Sequence, residues 1–358
     1  MYRNSYIKVD LDNLQYNARY YMKKTNKKLF GVIKANGYGL VDYIEAKTLL
    51  EVGVDHFAVS SLDEAINLRK HGINSEILVL GHIPSHYLDV VRKYDISMLT
   101  ISKDYVESND LHDIKVHIKI DTGMNRIGIE PSEAKEVLDI LLEKKAIVEG
   151  IMSHFSSADD DVDYSTKQYN LFKECVKGLD YNFKYIHMQA TDASSLFDDD
   201  FCNYCRIGLG LLGLSTYEKE LKPVISLYSL VTMTKKLEKG ETVSYGRHYT
   251  SDGNGYISTI ALGYADGFFR SNTGKQAYIE DEYASIVGSI CMDQMMIHTD
   301  NYHPVESVVE LFGEHIDIEQ RAKDLNTISY ELITALSERL SRYYYKNGVM
   351  INKIDPRF

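Results

Sequence analysis

The chain has 358 residues, and 40 lysines and arginines against 52 aspartates and glutamates give a formal net charge of −12. This length accommodates two domains, or one large barrel with an appendage. The acidic balance argues against nucleic acid or a membrane surface as a partner. No apolar run approaches the ~20 residues of a membrane span, and the N-terminal residues contain no apolar signal region, so we expect a cytoplasmic protein. Four cysteines are too few for a disulfide scaffold.

Between residues 29 and 210, short β-branched segments alternate with amphipathic ones. The pattern predicts a helix near Ser61–His71, with Ser61 or Asp63 as N-cap, and left-handed C-terminal caps at Gly53 and Gly72. We expect eight strands, at residues 29–35, 56–60, 77–81, 96–100, 115–120, 147–154, 184–189 and 203–209. Eight strands with helical crossovers favour a (β/α)8 TIM-type barrel, the alternative being an open doubly wound sheet.

After Pro223 the pattern changes to that of a mostly antiparallel β domain. Strand-like segments cover residues 224–235, 255–262, 284–299 and 308–312, and a helix is expected only at 321–342. The chain is therefore predicted to divide into a barrel domain, residues 1–222, and a C-terminal β domain, residues 223–358.

The carboxyl ends of barrel strands are where an active site is expected. Lys34 follows the apolar pair Val32-Ile33, and desolvation there would lower its pKa and make a neutral amine accessible for Schiff-base chemistry with an aldehyde. The alternative is a lysine that extends from the rim into water. The adjacent Gly37-Tyr38-Gly39 favours a ligand site, because glycines permit close approach and Tyr38 supplies a hydroxyl.

Several other strand ends carry polar groups. Thr191 and the Gly208-Leu209 backbone could donate hydrogen bonds to a phosphate after the seventh and eighth strands. Arg126 and Arg206 need acceptors, either Asp121 or Asp192 as structural partners, or a carboxylate or cofactor nitrogen as a ligand. His154 is more typical of a hydrogen-bonded core histidine than of a base.

The β domain has two polar motifs. Tyr245 precedes Gly246 at an expected strand-to-turn bend, and its phenol becomes a usable base only if nearby positive charge favours tyrosinate. Met292-Asp293-Gln294 lies in what reads as an apolar strand. Cys202 and Cys205 fit buried structural cysteines better than a metal site, and no metal is expected. The histidines His82, His86, His112 and His117 lack ligand spacing and are interpreted as surface or core residues.

These motifs, in this order, resemble the alanine racemases, which are pyridoxal-phosphate enzymes of fold type III. The resemblance covers nearly the whole chain. It rests on Val32-Ile-Lys34-Ala-Asn-Gly-Tyr38-Gly39, Lys119-Ile-Asp-Thr-Gly-Met-Asn-Arg126-Ile-Gly128, His154-Phe155, Arg206-Ile-Gly208-Leu-Gly-Leu-Leu-Gly213, Val243-Ser-Tyr245-Gly246, Gly263-Tyr264-Ala-Asp-Gly267, Cys291-Met292-Asp293-Gln294 and Ile328-Ser-Tyr330-Glu331.

The resemblance implies an enzyme that interconverts L- and D-alanine by a two-base mechanism and supplies D-alanine for peptidoglycan. Lys34 would bind the cofactor aldehyde and act as one base, and Tyr245 would be the other. Tyr245 would reach the active site of the other subunit of a homodimer. The remaining implied roles are phosphate binding by Tyr38, Thr191, Gly208, Leu209 and Tyr330, a contact of Arg206 with the pyridine nitrogen, a contact of His154 beside the cofactor, substrate binding by Arg126, Met292 and Asp293, carbamylation of Lys119, and an access corridor lined by Asp159, Tyr264 and Arg270.

The chain departs from the family pattern at Leu40-Val41 (usually His-Gly), Asn125 (usually Gly), Ala190-Thr191 (usually Asn-Ser), Ser289 (a corridor arginine) and Leu340-Ser341 (usually Val-Pro). These departures leave open a racemase that prefers serine or a basic amino acid. A decarboxylase on the same two-domain plan and a non-catalytic pyridoxal-phosphate-binding protein are further alternatives. The presence of the β domain, with Tyr245 and Asp293, counts against a protein that only binds the cofactor without catalysis.

Overall fold

The computed structural model describes residues 5–197 and 199–355. By their internal contacts these residues form two compact units. The first comprises residues 14–37 and 41–222. The second takes the described residues up to Asn13, the short segment Tyr38–Leu40, and those from Pro223 on. The functional boundary between residues 222 and 223 stays a prediction.

The first unit is a closed barrel of eight parallel strands, which confirms the predicted (β/α)8 fold. The first described strand, β1 (Tyr6–Asp10), belongs to the second unit. The barrel strands are β2 (Lys28–Val32), β3 (His56–Val59), β4 (Glu76–Val79), β5 (Ser97–Thr100), β6 (Lys115–Lys119), β7 (Ile147–Met152), β8 (Tyr185–His187) and β9 (Tyr204–Ile207). Each predicted segment overlaps one of them, and the strands are shorter than predicted because most predicted C-terminal ends form the loops above the barrel.

Helices and one-turn segments connect these strands. The α-helices run over Leu11–Thr25, Asp42–Leu50, Leu62–Lys70, Leu88–Lys93, Lys103–Ser108, Ala134–Glu143, Val162–Gly178 and Ala193–Leu196. The helix Leu62–Lys70 begins as predicted at Ser61, whose hydroxyl accepts from the Glu64 N–H while the Glu64 carboxylate accepts from the Ser61 N–H. This reciprocal capping box satisfies two N–H groups that a helix start otherwise leaves unpaired. Gly53 and Gly72 have the left-handed φ values of 88° and 83° expected of C-terminal caps.

The second unit is a mostly antiparallel sheet, as predicted. Its strands after β1 are β10 (Ile225–Lys235), β11 (Thr242–Val243), β12 (Tyr249–Thr250), β13 (Tyr256–Ile260), β14 (Gln276–Ile279), β15 (Glu282–Val287), β16 (Met295–Thr299), β17 (Val308–Phe312), β18 (Ser341–Lys346) and β19 (Val349–Ile354). The nine-stranded order is β13-β16-β15-β14-β17-β10-β1-β18-β19, and a further pairing of β13 with β10 closes six of these strands into a ring. The pair β11–β12 stands apart as a two-stranded ribbon that leads into Tyr245.

Two predictions for this unit are wrong. The segment 284–299 is two strands, β15 and β16, and Met292-Asp293-Gln294 lies in the loop between them, because Gly288 turns the chain with φ 68°. The single helix expected at 321–342 is two short helices, Ile318–Asp324 and Ser329–Thr334, followed by β18. Asn326, with φ 54°, separates the two helices, and the tyrosine-rich β18 pairs in parallel with β1.

The turn after β2 has an unusual backbone. Ala35, Asn36, Gly37 and Tyr38 all have φ between 50° and 64°, so the chain makes a left-handed turn directly after Lys34. Left-handed conformation costs L-residues other than glycine about 1–2 kcal/mol each. Val41 has φ 77°, which is strained for a β-branched residue. Such strain persists only where neighbouring contacts determine the conformation.

No helix among residues 5–197 and 199–355 combines the length and the apolar composition needed to cross a membrane. All four cysteines are free, and Cys202 and Cys205 are buried, as expected for structural cysteines.

Glu45 is a buried acid beneath the left-handed turn. Its Oε1 has no hydrogen-bond partner among the described residues, and its Oε2 lies 2.8 Å from where a Cβ at Gly37 would stand. Desolvation, with a smaller contribution from Asp42, raises the pKa of Glu45 well above its usual value. The folded protein therefore keeps this proton at pH values where the unfolded chain has lost it, and stability must fall as pH rises above the unfolded pKa.

We expect Glu45→Met to raise the melting temperature at pH 8 by about 3 °C, corresponding to about 1 kcal/mol, because the methionine removes the cost of a buried acid without changing the length of the side chain. The gain should shrink toward pH 4, where both states hold the proton. Thermal melts from pH 4 to pH 9 measure this, with the exposed Glu143→Met as matched control. A gain that does not depend on pH would contradict the assignment.

Candidate active site

The predicted site residues of the barrel unit lie at the carboxyl ends of its strands. Lys34 follows β2 by two residues, Lys119 ends β6, His154 follows β7 by two, and Arg206 lies within β9. The others are Arg126 in the loop after β6, Thr191 after β8, and Gly208 and Leu209 directly after β9. Parallel strands bring these ends to one face of a barrel, which is where barrel enzymes build their sites.

Lys34 projects from the first of these strand ends. The Ala35 N–H donates to Glu64 Oε1 at 2.7 Å, so the capping residue of the next helix also fixes the strained turn that carries Lys34. Lys34 reaches solvent, yet enough protein surrounds its amine that desolvation lowers its pKa, and the positive charge of Arg126 lowers it further. A lowered pKa increases the neutral fraction that can attack an aldehyde or accept a proton.

Arg206 is buried at the centre of the barrel site, with 4% of its surface exposed. Its Nη1 donates to His187 Nδ1 at 2.9 Å and to the His187 carbonyl at 3.0 Å. Its Nη2 lies 2.9 Å from the Ser153 carbonyl, 3.0 Å from His154 Nδ1 and 3.1 Å from the Met188 carbonyl. Desolvation lowers the pKa of Arg206 to about 10, so it remains a cation at neutral pH. Its predicted structural partners, Asp121 and Asp192, are not involved.

These contacts leave one donor of Arg206 for a ligand. The terminal nitrogens are saturated by protein acceptors, whereas the Nε–H has no hydrogen bond to the described residues. A ring nitrogen that carries a lone pair would match this single N–H.

Arg206 also sets the tautomers of the histidines around it. Because the guanidinium can only donate, His154 and His187 must accept at Nδ1 and are neutral with their proton on Nε2. His187 Nε2 lies 2.8 Å from His117 Nδ1, so the chain of donors continues across the barrel interior. Burial lowers the pKa of His154 and His187 well below 6.5 and that of His117 to about 3. None of the three is a cation at neutral pH.

The loop after β6 is organised by one carboxylate. Asp121 Oδ1 accepts from the backbone N–H groups of Gly123, Met124 and Asn125 at 2.9–3.1 Å. Burial opposes ionisation of Asp121, but these hydrogen bonds and the charge of Lys119 outweigh it and lower its pKa. Asn125 has φ 56°, which explains why asparagine can replace the family's glycine. The loop leaves Arg126 exposed and without a hydrogen bond or ion pair to the described residues.

Lys119 is a buried amine among cations. It is 2% exposed, and its Nζ donates to the Ile120 carbonyl at 2.7 Å. Desolvation lowers the pKa of Lys119 to about 8; Asp121 raises it, and Arg206 and Arg126 lower it further. About a fifth of this lysine is therefore neutral near pH 7.4, and an anionic group at its position would compensate both arginines.

Thr191, Gly208 and Leu209 form a set of donors after β8 and β9. The Gly210 N–H donates to Thr191 Oγ1 at 3.1 Å, which leaves the threonine hydroxyl proton available. The N–H groups of Gly208 and Leu209 donate to no other described residue, and Leu209 begins a one-turn 3-10 helix. A phosphate monoester needs such donors. Together with a nucleophilic amine at Lys34 and one N–H at Arg206, they fit pyridoxal phosphate.

The second unit carries a separate group of predicted residues. Tyr245, Tyr264, Arg270 and the loop Ser289–Gln294 line a cavity of about 660 Å³. Tyr264 and Ala265 donate their N–H groups to the carbonyls of Cys291 and Met292, at 3.0 Å each, which anchors this loop. The Met292 N–H itself donates to no described residue. Tyr245 is 76% exposed.

The other predicted residues of this unit have partners within it. The Asp293 carboxylate pairs with Arg339 at 2.7 Å, and Arg339 also approaches the buried Asp266. Tyr38 is buried, and its ring centroid lies 6.2 Å from that of Tyr330.

Sequence reasoning missed three groups. His117 was interpreted as filler, but it is fully buried and belongs to the chain of donors below Arg206. Its spacing of two residues from Lys119 on β6 places both on the inner face of the strand, and that signal was present in the sequence. Glu64 stands three residues after Ser61, the spacing of a capping box, and Ser289 stands out as a departure from the family pattern, but neither signal pointed to its contact with strained backbone. Clusters of His, Cys, Asp and Glu with metal-binding geometry were not found in residues 5–197 and 199–355.

Residues 9–216 match the family model described as alanine racemase, N-terminal domain, and residues 224–344 match alanine racemase, C-terminal domain. The alanine racemase of Staphylococcus epidermidis is 37% identical over 97% of this chain and 96% of that protein. Alanine racemase 1 of Bacillus subtilis is 32% identical over 99% of this chain and 96% of that protein.

Solved structures show the same relationship. Alanine racemase from Clostridium difficile 630 superposes with a TM-score of 0.94, at 32% identity and full coverage of both chains. The Bacillus anthracis enzyme with bound L-Ala-P gives 0.92, at 34% identity over 99% of this chain and 98% of that one. A histidine racemase from Leuconostoc mesenteroides gives 0.88, at 26% identity over 96% and 99%. The two domain matches and the full-length relatives together show that this chain belongs to the alanine racemase family of pyridoxal-phosphate-dependent enzymes.

Proposed function

We propose that this protein interconverts L- and D-alanine, with Lys34 and Tyr245 as the two bases and a second copy of the chain completing each site. The observation that carries the proposal is the barrel site itself. It combines a lysine of lowered pKa, a buried arginine whose hydrogen-bond partners are all uncharged, and a set of unused hydrogen-bond donors that suit a phosphate. The family relationship supports the same activity.

Pyridoxal phosphate, when bound, supplies the aldehyde that takes up an amino group and the conjugated ring that accepts the electron pair left at Cα. Lys34 would hold it covalently and Arg206 Nε would donate to its ring nitrogen. Thr191, Gly208, Leu209, Tyr38 and Tyr330 would bind its phosphate, and His154 would contact it beside the ring. Because arginine stays protonated, Arg206 disfavours protonation of the ring nitrogen. This favours return of the proton to Cα over side reactions.

Each base serves one face of the substrate. We assign removal of the α-proton of D-alanine to the Lys34 amine, and removal of the α-proton of L-alanine to the Tyr245 phenolate. The protonated partner on the other face returns a proton, which inverts the centre. Arg126, exposed and without a protein partner, would bind the substrate carboxylate together with the Met292 N–H, and Asp293 would help to shape this part of the site.

The exposure of Tyr245 supports a homodimer. A phenol that removes a proton from carbon acts best where water is excluded, yet Tyr245 is 76% exposed in the single chain, and Met292 is 53% exposed. A second copy that covers this face would exclude the water and bring the phenol to a barrel site. We place the enzyme in the cytoplasm, where a reducing environment suits its free cysteines.

Two contacts favour alanine over the larger substrates that the sequence left open. The Ser289 hydroxyl proton is donated to the Tyr245 carbonyl, so Ser289 can offer a serine side chain only an acceptor oxygen. Asp293 pairs with Arg339, which reduces its capacity to recognise a basic side chain.

We expect Tyr245→Phe to slow exchange of the L-alanine α-proton in D2O by at least about 100-fold while D-alanine continues to exchange, because the phenol serves one face only. NMR of each enantiomer measures the two rates separately. Lys34→Ala is the comparison variant and should lose both exchanges together with the visible absorbance of bound cofactor. Equal losses for L- and D-alanine in Tyr245→Phe would refute the two-base assignment.

We expect activity to return when Lys34→Ala and Tyr245→Phe proteins are mixed under conditions of subunit exchange. If the two bases of a site come from different chains, each mixed dimer has one intact site, and random pairing restores about one quarter of wild-type activity. The unmixed variants are the controls. If differential tagging demonstrates mixed dimers but no activity returns, both bases of a site come from one chain.

Lys119 is proposed to carry a carbamate. Its pKa of about 8 leaves a neutral amine to react with CO2, and the resulting anion would lie between Arg126 and Arg206. We expect a carbamate signal in 13C NMR after incubation with labelled bicarbonate, growing as pH rises through about 8. Lys119→Gln should lose the signal. If the wild-type protein shows no carbamate signal at high bicarbonate and pH 9, the proposed modification is wrong.

A further inference from the structure

We propose that Ser289 is a positioning residue for Tyr245, and that with Ser244 it forms a two-way hydrogen-bonded clamp on the backbone from which the phenol projects. The proposal rests on the function proposed above, in which Tyr245 is a base. It concerns Ser289, which lines the same cavity as Tyr245.

The clamp consists of two short hydrogen bonds in opposite directions. Ser289 Oγ donates to the Tyr245 carbonyl at 2.8 Å, and Ser244 Oγ donates to the Ser289 carbonyl at 2.6 Å. Ser289 is only 6% exposed, so water cannot readily replace these bonds. Removal of either hydroxyl leaves a carbonyl oxygen without that donor, which costs more than an exposed hydrogen bond would.

The backbone at this point needs to be held. Ser244 has φ 65° and ψ −176°, a region that is essentially restricted to glycine and costs a serine about 1–3 kcal/mol. Gly246, on the other side of Tyr245, has φ 74°. Because the Tyr245 side chain is 76% exposed, contacts of its ring within the chain contribute little to its orientation. The direction of the phenol therefore depends on the backbone, and the clamp is what holds that backbone.

The two clamped segments are in close contact. A Cβ at Gly288 would lie 2.9 Å from the Val243 carbonyl and 3.1 Å from Ser244 Cβ, so only glycine fits there. Cys291 Sγ lies 3.4 Å from Ser244 Oγ and extends the contact along the loop. The same loop carries Met292, whose N–H is proposed to bind the substrate carboxylate. The clamp thus connects the segment of Tyr245 directly to the loop of Met292 and sets the distance between the base and this substrate-binding group.

Arginine at position 289 could not do this, because a guanidinium on a four-atom stem does not reproduce a hydroxyl one bond from Cβ.

The test compares Ser289→Ala, which removes the hydroxyl, with Ser289→Thr, which keeps it, in the holoenzyme. Ser244→Ala tests the other half of the clamp without relieving its strain. Because L- and D-alanine have equal free energies, kcat/KM must fall equally in both directions and cannot identify the affected base. Primary isotope effects with α-deuterated L- and D-alanine can identify the affected base, because each isotope effect reports on the step in which that substrate's own deuteron is removed.

We expect Ser289→Ala to lower kcat about tenfold, a loss typical of a misplaced catalytic group. The isotope effect should rise for L-alanine, whose deuteron goes to Tyr245, and fall for D-alanine, because proton return from Tyr245 becomes the slower step. Ser244→Ala should behave in the same way and Ser289→Thr should remain near wild type. A 19F signal from 3-fluorotyrosine at position 245 should narrow or shift in Ser289→Ala, which reports mobility independently of activity.

Unchanged isotope effects in Ser289→Ala, at whatever rate, would overturn the clamp, because a merely structural loss lowers the amount of active enzyme and leaves these ratios alone. Failure of the proposed function is distinguishable. It would show as equal loss of L- and D-alanine exchange in Tyr245→Phe. If only the clamp fails, Tyr245→Phe still loses L-alanine exchange selectively, and the isotope effects for L- and D-alanine in Ser289→Ala stay unchanged.

Discussion

The barrel site depends on a cation that is buried without an anion. Arg206 is 4% exposed, and the acceptors within hydrogen-bond distance of it are three backbone carbonyls and two imidazole nitrogens. A buried charge is tolerated only when its donors are satisfied. Satisfying them requires His154 and His187 to accept at Nδ1, and this in turn requires His187 to donate to His117. One guanidinium thus determines the protonation of three histidines and leaves a single N–H for a ligand.

Lys34 and Tyr245 are held in a similar way, each within its own unit. Each lies beside strained backbone, the left-handed turn after β2 and the glycine-like conformation of Ser244. In each case a polar side chain from another segment holds this backbone: Glu64 accepts from the strained Ala35, and Ser289 donates to Tyr245, the residue after the strained Ser244. Strain at functional positions persists when the surroundings determine it, and both proposed bases meet that condition.

Sequence reasoning succeeded where information is local. The alternation of strands and helices, the cap at Ser61 and the order of strand-end motifs all lie within short segments, and the barrel follows from them. It failed where the partner is distant. The helix predicted at 321–342 extended into the start of β18, at Ser341 and Arg342, because β1, the strand that β18 pairs with, lies more than 300 residues away along the chain. His117 read as filler because its contact with β8 exists only once the barrel closes. The loop after β15 read as strand because Ile290 is apolar, although Gly288 turns the chain.

The charges around Arg206 have an effect beyond the contacts they make. The charge of Arg126 lowers the pKa of Lys34 and of Lys119, and the charge of Arg206 lowers that of Lys119, while the chain as a whole carries a net charge of −12. The mouth of the barrel is therefore a region of positive electrostatic potential in a protein of net negative charge. Small dianions and carboxylates are drawn to that one place, whereas long polyanions meet mostly repulsion from the rest of the surface. Capture of a phosphorylated cofactor is favoured before any hydrogen bond forms.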